Sequence, residues 1–219
     1  VVVATAGVGS GGAAPHTHFN TVSTDSRHVE PRALFIALRG ERHDGHRFVA
    51  EALARGATIA VVDHLPAGVE PSRAIVVADT LRALGDLAAW TRRQSSVRVI
   101  AVTGSNGKTT TKELIASICA QAQFPPPRTA ILKSEGNFNN LIGVPLTLLQ
   151  LRGDEAVAVI EMGMNHPGEI ARLTEMARPD YAVITNVGAA HLEGVGGTLA
   201  AVAAAKGELF AGLAADAAI

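Results

Sequence analysis

The sequence predicts an α/β protein in two parts. A small N-terminal α/β domain is expected over residues 1–96, followed by a P-loop-type domain with a parallel sheet over residues 97–219, itself incomplete. Three observations carry this expectation. Apolar runs of strand length alternate with helical patterns, which implies parallel strands joined by right-handed crossovers. The apolar run 97–102 leads into Thr103-Gly-Ser-Asn-Gly-Lys-Thr-Thr110 and then a helical pattern, the order strand, glycine-rich loop, helix. Polar residues close the later apolar runs, where open α/β sheets take their ligands.

In the first part, residues 1–21 are low in complexity and expected to be irregular, with an edge strand at 1–4. Residues 34–38 read as a strand, and 47–55 as a helix stopped by Gly56. Residues 58–63 and 74–77 are β-branched, apolar and of strand length. Leu81, Leu84, Leu87, Ala88 and Trp90 recur at helical spacing, which predicts a helix over 80–93. The second part reads strand 97–102, helix 108–122, a proline-rich insert at Pro125–Pro127, and a short strand at 130–132. A loop through Gly136 and Asn137 to Asn140 leads to a helix over 145–151. Strand 156–160, helix 167–177, strand 181–185, a loop through His191 and a helix over 198–213 complete the order. No internal repeat is visible.

Composition excludes several classes. The 219 residues are 47% hydrophobic but only 4% aromatic, so the core is built from Ala, Val, Leu and Ile. Nineteen basic and twenty acidic residues leave a net charge of −1, which argues against a nucleic-acid partner. Cys119 is the single cysteine, so neither a disulfide framework nor a zinc cluster is expected. No apolar run reaches the ~20 residues of a membrane span. A reduced, cytoplasmic setting and a monomer are the expectations. The chain begins without methionine and stops in an apolar stretch, 214–219, which suggests an incomplete polypeptide.

The loop carries the chemistry. Backbone N–H groups of a glycine-rich turn and of a helix N-terminus attract phosphate. Gly104, Ser105, Asn106, Gly107, Lys108, Thr109 and Thr110 are therefore expected to hold a triphosphate, with Lys108 on the β- and γ-phosphates and Thr109 on Mg²⁺. Position 102 is valine, so the loop is two residues shorter than the common P-loop. A capped turn would explain the glycines but leave Lys108 without a role. Glu161 ends a strand and is a hard oxygen ligand suited to Mg²⁺. His191 follows the next strand; taken alone, it reads as a hydrogen-bonding loop residue. Lys206 shares the apolar face of Val202 and Phe210. It is either a lysine whose amine snorkels to water or a buried amine of lowered pKa, able to take up CO₂ as a carbamate. Ser23-Thr-Asp-Ser-Arg27, Arg39 and Asp44-Gly-His46 suit a nucleotide-contacting surface and suit capping with surface ion pairs equally well.

Together, Thr103–Thr110, Glu161, His191 and Ala205-Lys206 resemble the Mur ligases, ATP-dependent amide-bond enzymes of peptidoglycan synthesis. Gly136-Asn-Phe-Asn-Asn140 and Glu161-Met-Gly-Met-Asn-His-Pro-Gly168 are the discriminating segments. They resemble the branch that joins D-alanyl-D-alanine to UDP-N-acetylmuramoyl-tripeptide. The resemblance implies ATP and Mg²⁺ as cofactors and those two small molecules as substrates. It implies that Glu161, His191 and a carbamylated Lys206 attend two Mg²⁺ ions, and that Lys108, Glu161, His191 and Lys206 are catalytic. It also implies that Asn139 and Asn140 face the muramoyl-peptide and that Asp25, Ser26, Arg27 and Arg39 lie near UDP. A third domain of the family lies outside this sequence, so this polypeptide alone is expected to be inactive. The alternatives are a sister amide ligase, adding a diamino acid or glutamate, and an inactive nucleotide-binding fragment.

Overall fold

A computed structural model of the protein describes residues 8, 9, 18–40, 43–189 and 193–213. The edge strand expected at 1–4, His191 and the stretch 214–219 lie outside the described residues. The chain forms two compact units, Val1–Leu87 and Ala88–Ile219.

The first unit is built on a five-stranded sheet. Its strands are β1 (Val8–Gly9), β2 (Thr21–Ser23), β3 (Ala33–Ile36), β4 (Ile59–Val62) and β5 (Ala74–Val76), in the spatial order β1-β5-β4-β3-β2. Every neighbouring pair is parallel except β1 with β5. β3 and β4 are buried at every position, as strands covered on both faces must be. β2 was not foreseen, because three residues carrying two hydroxyls give no apolar signal; only its parallel pairing with β3 makes it a strand. The helix expected at 47–55 begins as a 3₁₀ turn, Gly45–Phe48, and becomes α1 at Val49–Ala54. Asp44 caps that turn by accepting the His46 N–H. Helix α2, Thr80–Gln94, contains the division between the units, upstream of the boundary expected at residue 96.

The second unit carries a wholly parallel sheet in the order β7-β8-β6-β9. Its elements are β6 (Arg98–Thr103), α3 (Lys108–Gln121), β7 (Ala130–Lys133), α4 (Gly143–Leu148), β8 (Glu155–Glu161), α5 (Glu169–Ala177), β9 (Tyr181–Ile184) and α6 (Leu199–Ala211). Alternation along each strand feeds two cores. Val99 and Ala101 of β6 and Ala158 and Ile160 of β8 pack with Val144 and Leu148 of α4, Ile170 and Leu173 of α5, and Val202 and Leu209 of α6. Val102, Val157 and Val159 belong to the other core, with Ala116, Ile115 and Cys119 of α3. Burying each such aliphatic side chain contributes about 1.5–3 kcal/mol, which fixes the register of the two central strands.

Two helix boundaries differ from expectation for local reasons. α4 starts at Gly143 rather than 145, because the Asn140 side chain accepts the N–H groups of Ile142 and Gly143. α5 starts at Glu169 rather than 167, because Gly168 has a φ of 87°, outside helical space.

Candidate active site

In the second unit, the carboxyl ends of β6 and β8 bring the glycine-rich loop and Glu161 together, and the loop after β7 adds Asn139. Residues 104–107 leave β6 and turn into α3. Gly104 has a φ of 149°, and a Cβ there would lie 1.9 Å from Thr185 Oγ1, so only glycine fits. Gly107, at φ 78°, forms the N-cap of α3. Ser105 is buried, while Asn106, Thr109 and Thr110 are exposed at the mouth of the helix. Exposed N–H groups at a helix start are what a phosphate needs. Lys108 folds back over the turn, donating to Gly104 O at 2.8 Å and Ser105 O at 3.4 Å.

The loop after β9 braces this turn. Asn186 O accepts the Ser105 N–H, and Asn186 Oδ1 accepts the Asn106 N–H at 3.0 Å. Asn186 Nδ2 and Thr185 Oγ1 both donate to Asn106 O, at 3.0 and 2.6 Å. Ser105 Oγ and the Gly188 backbone complete the brace. The sequence places Asn186 in the polar segment after a strand but gives it no role, since nothing local distinguishes one loop asparagine from another.

Glu161 is 2% exposed at the end of β8, beside Val102 of β6. Thr109 Oγ1 donates to its Oε2 at 2.9 Å, and Asn139 Nδ2 donates to its Oε1 at 2.9 Å. The backbone N–H of Glu161 goes to Ser134 Oγ at 3.0 Å. Asn139 is seated by a second contact, its carbonyl accepting the Gly163 N–H at 2.7 Å. A Cβ at Gly163 would stand 2.8 Å from Asn139 Oδ1, so the glycine admits the asparagine to the carboxylate. Asn140, by contrast, turns its side-chain oxygen to the start of α4.

Lys206 lies on the inner face of α6 and is 1% exposed. Burial, and then the charge of Lys108, lower its pKa below the ordinary lysine value. That is the buried-amine environment weighed from the sequence, and it sets Lys206 apart from a snorkelling lysine.

The predicted residues of the first unit also gather beyond strand ends. Arg27 makes a two-pronged pair with Asp25, Nε to Oδ1 at 2.9 Å and Nη2 to Oδ2 at 2.7 Å. That contact holds the Asp25 carboxyl well below the usual range. Ser26 is buried, with its hydroxyl 3.4 Å from Glu51. Arg39 Nη2 donates to Asp63 Oδ1 at 3.0 Å. His46 lies beneath, bonded to Asp44 Oδ1 through Nδ1 and accepting the Asp63 N–H at Nε2, with its ring stacked on His64 at 4.5 Å. Ligand atoms of His46, Asp63 and His64 lie within 4.8 Å of one another, a metal-site spacing. The His46 Nε2 lone pair is already engaged and Arg39 supplies the cation, so the cluster is a hydrogen-bonded platform. Neither Asp63 nor His64 was singled out from sequence, because each is an ordinary polar residue following a strand.

A parallel α/β sheet that carries a glycine-rich turn at one strand end, and a buried carboxylate bonded to the threonine after the loop lysine at the next, has the architecture of a phosphate-loop fold. The model of the Mur ligase middle domain matches residues 102–219, and that of the Mur ligase family catalytic domain matches residues 18–92. The chain belongs to the Mur ligase family. It is 47% identical over 194 residues to the UDP-N-acetylmuramoyl-tripeptide–D-alanyl-D-alanine ligase of Escherichia coli, covering 89% of this chain and 41% of that protein. Among solved structures, a MurF from Acinetobacter baumannii superimposes with a TM-score of 0.90 at 40% identity, covering 99% of this chain and 46% of that one. The MurF ligase of Thermotoga maritima in complex with ADP gives a TM-score of 0.80 at 35% identity, covering 90% of this chain and 44% of that one. The chain thus spans about two fifths of the length of the curated relatives it matches. Among the described residues, no helix is long and apolar enough to cross a membrane.

Proposed function

We propose that the full-length protein is an ATP-dependent ligase that joins D-alanyl-D-alanine to UDP-N-acetylmuramoyl-tripeptide, a cytoplasmic step of peptidoglycan synthesis. The observation that carries this reading is the direct bond between Thr109 at the phosphate loop and Glu161 at the neighbouring strand end. It places hard oxygen donors beside the helix mouth where a triphosphate would end. The relatives named for this reaction match 88–91% of the chain.

The donor set of Thr109 hydroxyl and Glu161 carboxylate is all oxygen and fits Mg²⁺. These two residues, with His191 and a carbamylated Lys206, would hold the ion. Bound there, it would neutralise charge on the phosphates. The N–H groups at the start of α3 would bind the phosphates, and Lys108 would swing from Gly104 O to the γ-phosphate. The substrate's terminal carboxylate then attacks the γ-phosphorus; the bond to the β-bridging oxygen breaks, giving an acyl phosphate and ADP. The dipeptide amine attacks the acyl carbon, the C–O bond to phosphate breaks, and the amine loses a proton. No protein nucleophile is needed, because positioning and charge stabilisation carry phosphoryl transfer. Asn139 supports the acceptor side through Glu161, and Asp25, Ser26, Arg27 and Arg39 form the surface proposed for UDP.

Phosphate release by the full-length protein, with ATP, Mg²⁺ and the UDP-linked peptides, tests the reading. Release should respond to D-Ala-D-Ala. Release that ignores the dipeptide and responds to a diamino acid or glutamate would assign the chain to a sister ligase.

A further inference from the structure

We infer that Lys112 is a positioning residue that locks the loop 134–139 to the nucleotide helix and thereby holds Asn139 in place for the acceptor substrate. The side chain is 0% exposed, and a lysine is almost never fully buried unless its charge is matched. Here the ammonium donates to Ser134 O at 2.7 Å and reaches Glu113 Oε1 at 3.1 Å and Gly136 O at 3.5 Å. Three acceptors meet the three N–H bonds of the amine. Glu161 Oε2 stands 3.8 Å away, close enough for its charge to count and too far for a hydrogen bond.

Ser134 is the hub. Its carbonyl is held by Lys112, its hydroxyl accepts the Glu161 N–H, and its own N–H goes to Val159 O. Asn139, farther along the same loop, reaches the Glu161 carboxylate. The loop therefore grips Glu161 at backbone and side chain, while Lys112 ties the loop to α3. Lys112 lies one turn from Lys108, yet among the described residues its ammonium reaches Ser134, Gly136, Glu113 and Glu161 rather than residues 104–107. Loss of its amine should disturb the acceptor side and spare the nucleotide side.

The inference rests on the ligase reading, and the test separates the two. In full-length Lys112→Met, the KM for the UDP-linked carboxylate should rise about tenfold, as for loss of an outer-shell partner, with the KM for ATP within about twofold. A merely structural role would lower the active fraction and leave both KM values in place. Amide exchange over 134–140 should accelerate while 104–110 keep their rates. If Lys112→Met does not fold, Glu113→Gln, which takes the charge from the carboxylate that pairs with the Lys112 amine, should give the same split in smaller measure. Equal shifts in both KM values, no shift in either, or exchange that rises uniformly would overturn the inference. If the wild-type protein forms no product, the ligase reading fails, and the exchange comparison decides the role of Lys112 alone.

Discussion

Lys206 shows how much one residue's surroundings decide. At the sequence level it was a lysine on an apolar helical face. The structure buries it and sets the charge of Lys108 close enough to depress its pKa. A neutral amine is the form that takes up CO₂, forming an N–C bond as the proton leaves. Full-length protein in ¹³C-bicarbonate should show a carbamate resonance that is absent from Lys206→Met. Identical spectra would remove the carbamate from the account. Lys112 is the opposite case. Its i+4 spacing from Lys108 puts both on one side of the helix, a signal present in the sequence. Burial alone reveals its importance, because a surface lysine and a clamped one have the same neighbours in the chain.

At the scale of elements, the phosphate loop is not free-standing. Its shape depends on the loop after β9, which presents Asn186 as an amide able to bond both the N–H and the C=O of Asn106. Asn186→Ala removes two side-chain hydrogen bonds, each worth about 1 kcal/mol net. The KM for ATP should rise about tenfold, the equivalent of about 1.4 kcal/mol, as measured by steady-state kinetics on the full-length protein. An unchanged KM would show that the turn holds its own shape. Legibility follows the same division. Strands with long apolar runs, such as β8, and the loop with its Lys-Thr were readable because their signals are local. β2 and the start of α4 were not, since one is made by pairing with β3 and the other by the Asn140 side chain. The Asp63–His64 platform escaped for a related reason: its partners, Arg39 and His46, are distant in sequence and meet only when β3 and β4 pair.

For the whole molecule, each unit follows one plan: parallel strands inside, polar residues at their carboxyl ends. In the second unit that plan converts chain order into proximity, since β6 and β8 are sheet neighbours although α3, β7 and α4 intervene. Thr109 and Glu161 therefore meet at 2.9 Å across 52 positions of sequence. In the proposed reaction, this meeting point is where ATP is used. The most direct measurement is product formation from ATP, UDP-N-acetylmuramoyl-tripeptide and D-alanyl-D-alanine by full-length Glu161→Gln, with circular dichroism confirming the fold. A fall of about a hundredfold or more is expected, the scale of losing one preorganised charge-stabilising group. Turnover at the wild-type rate would contradict it.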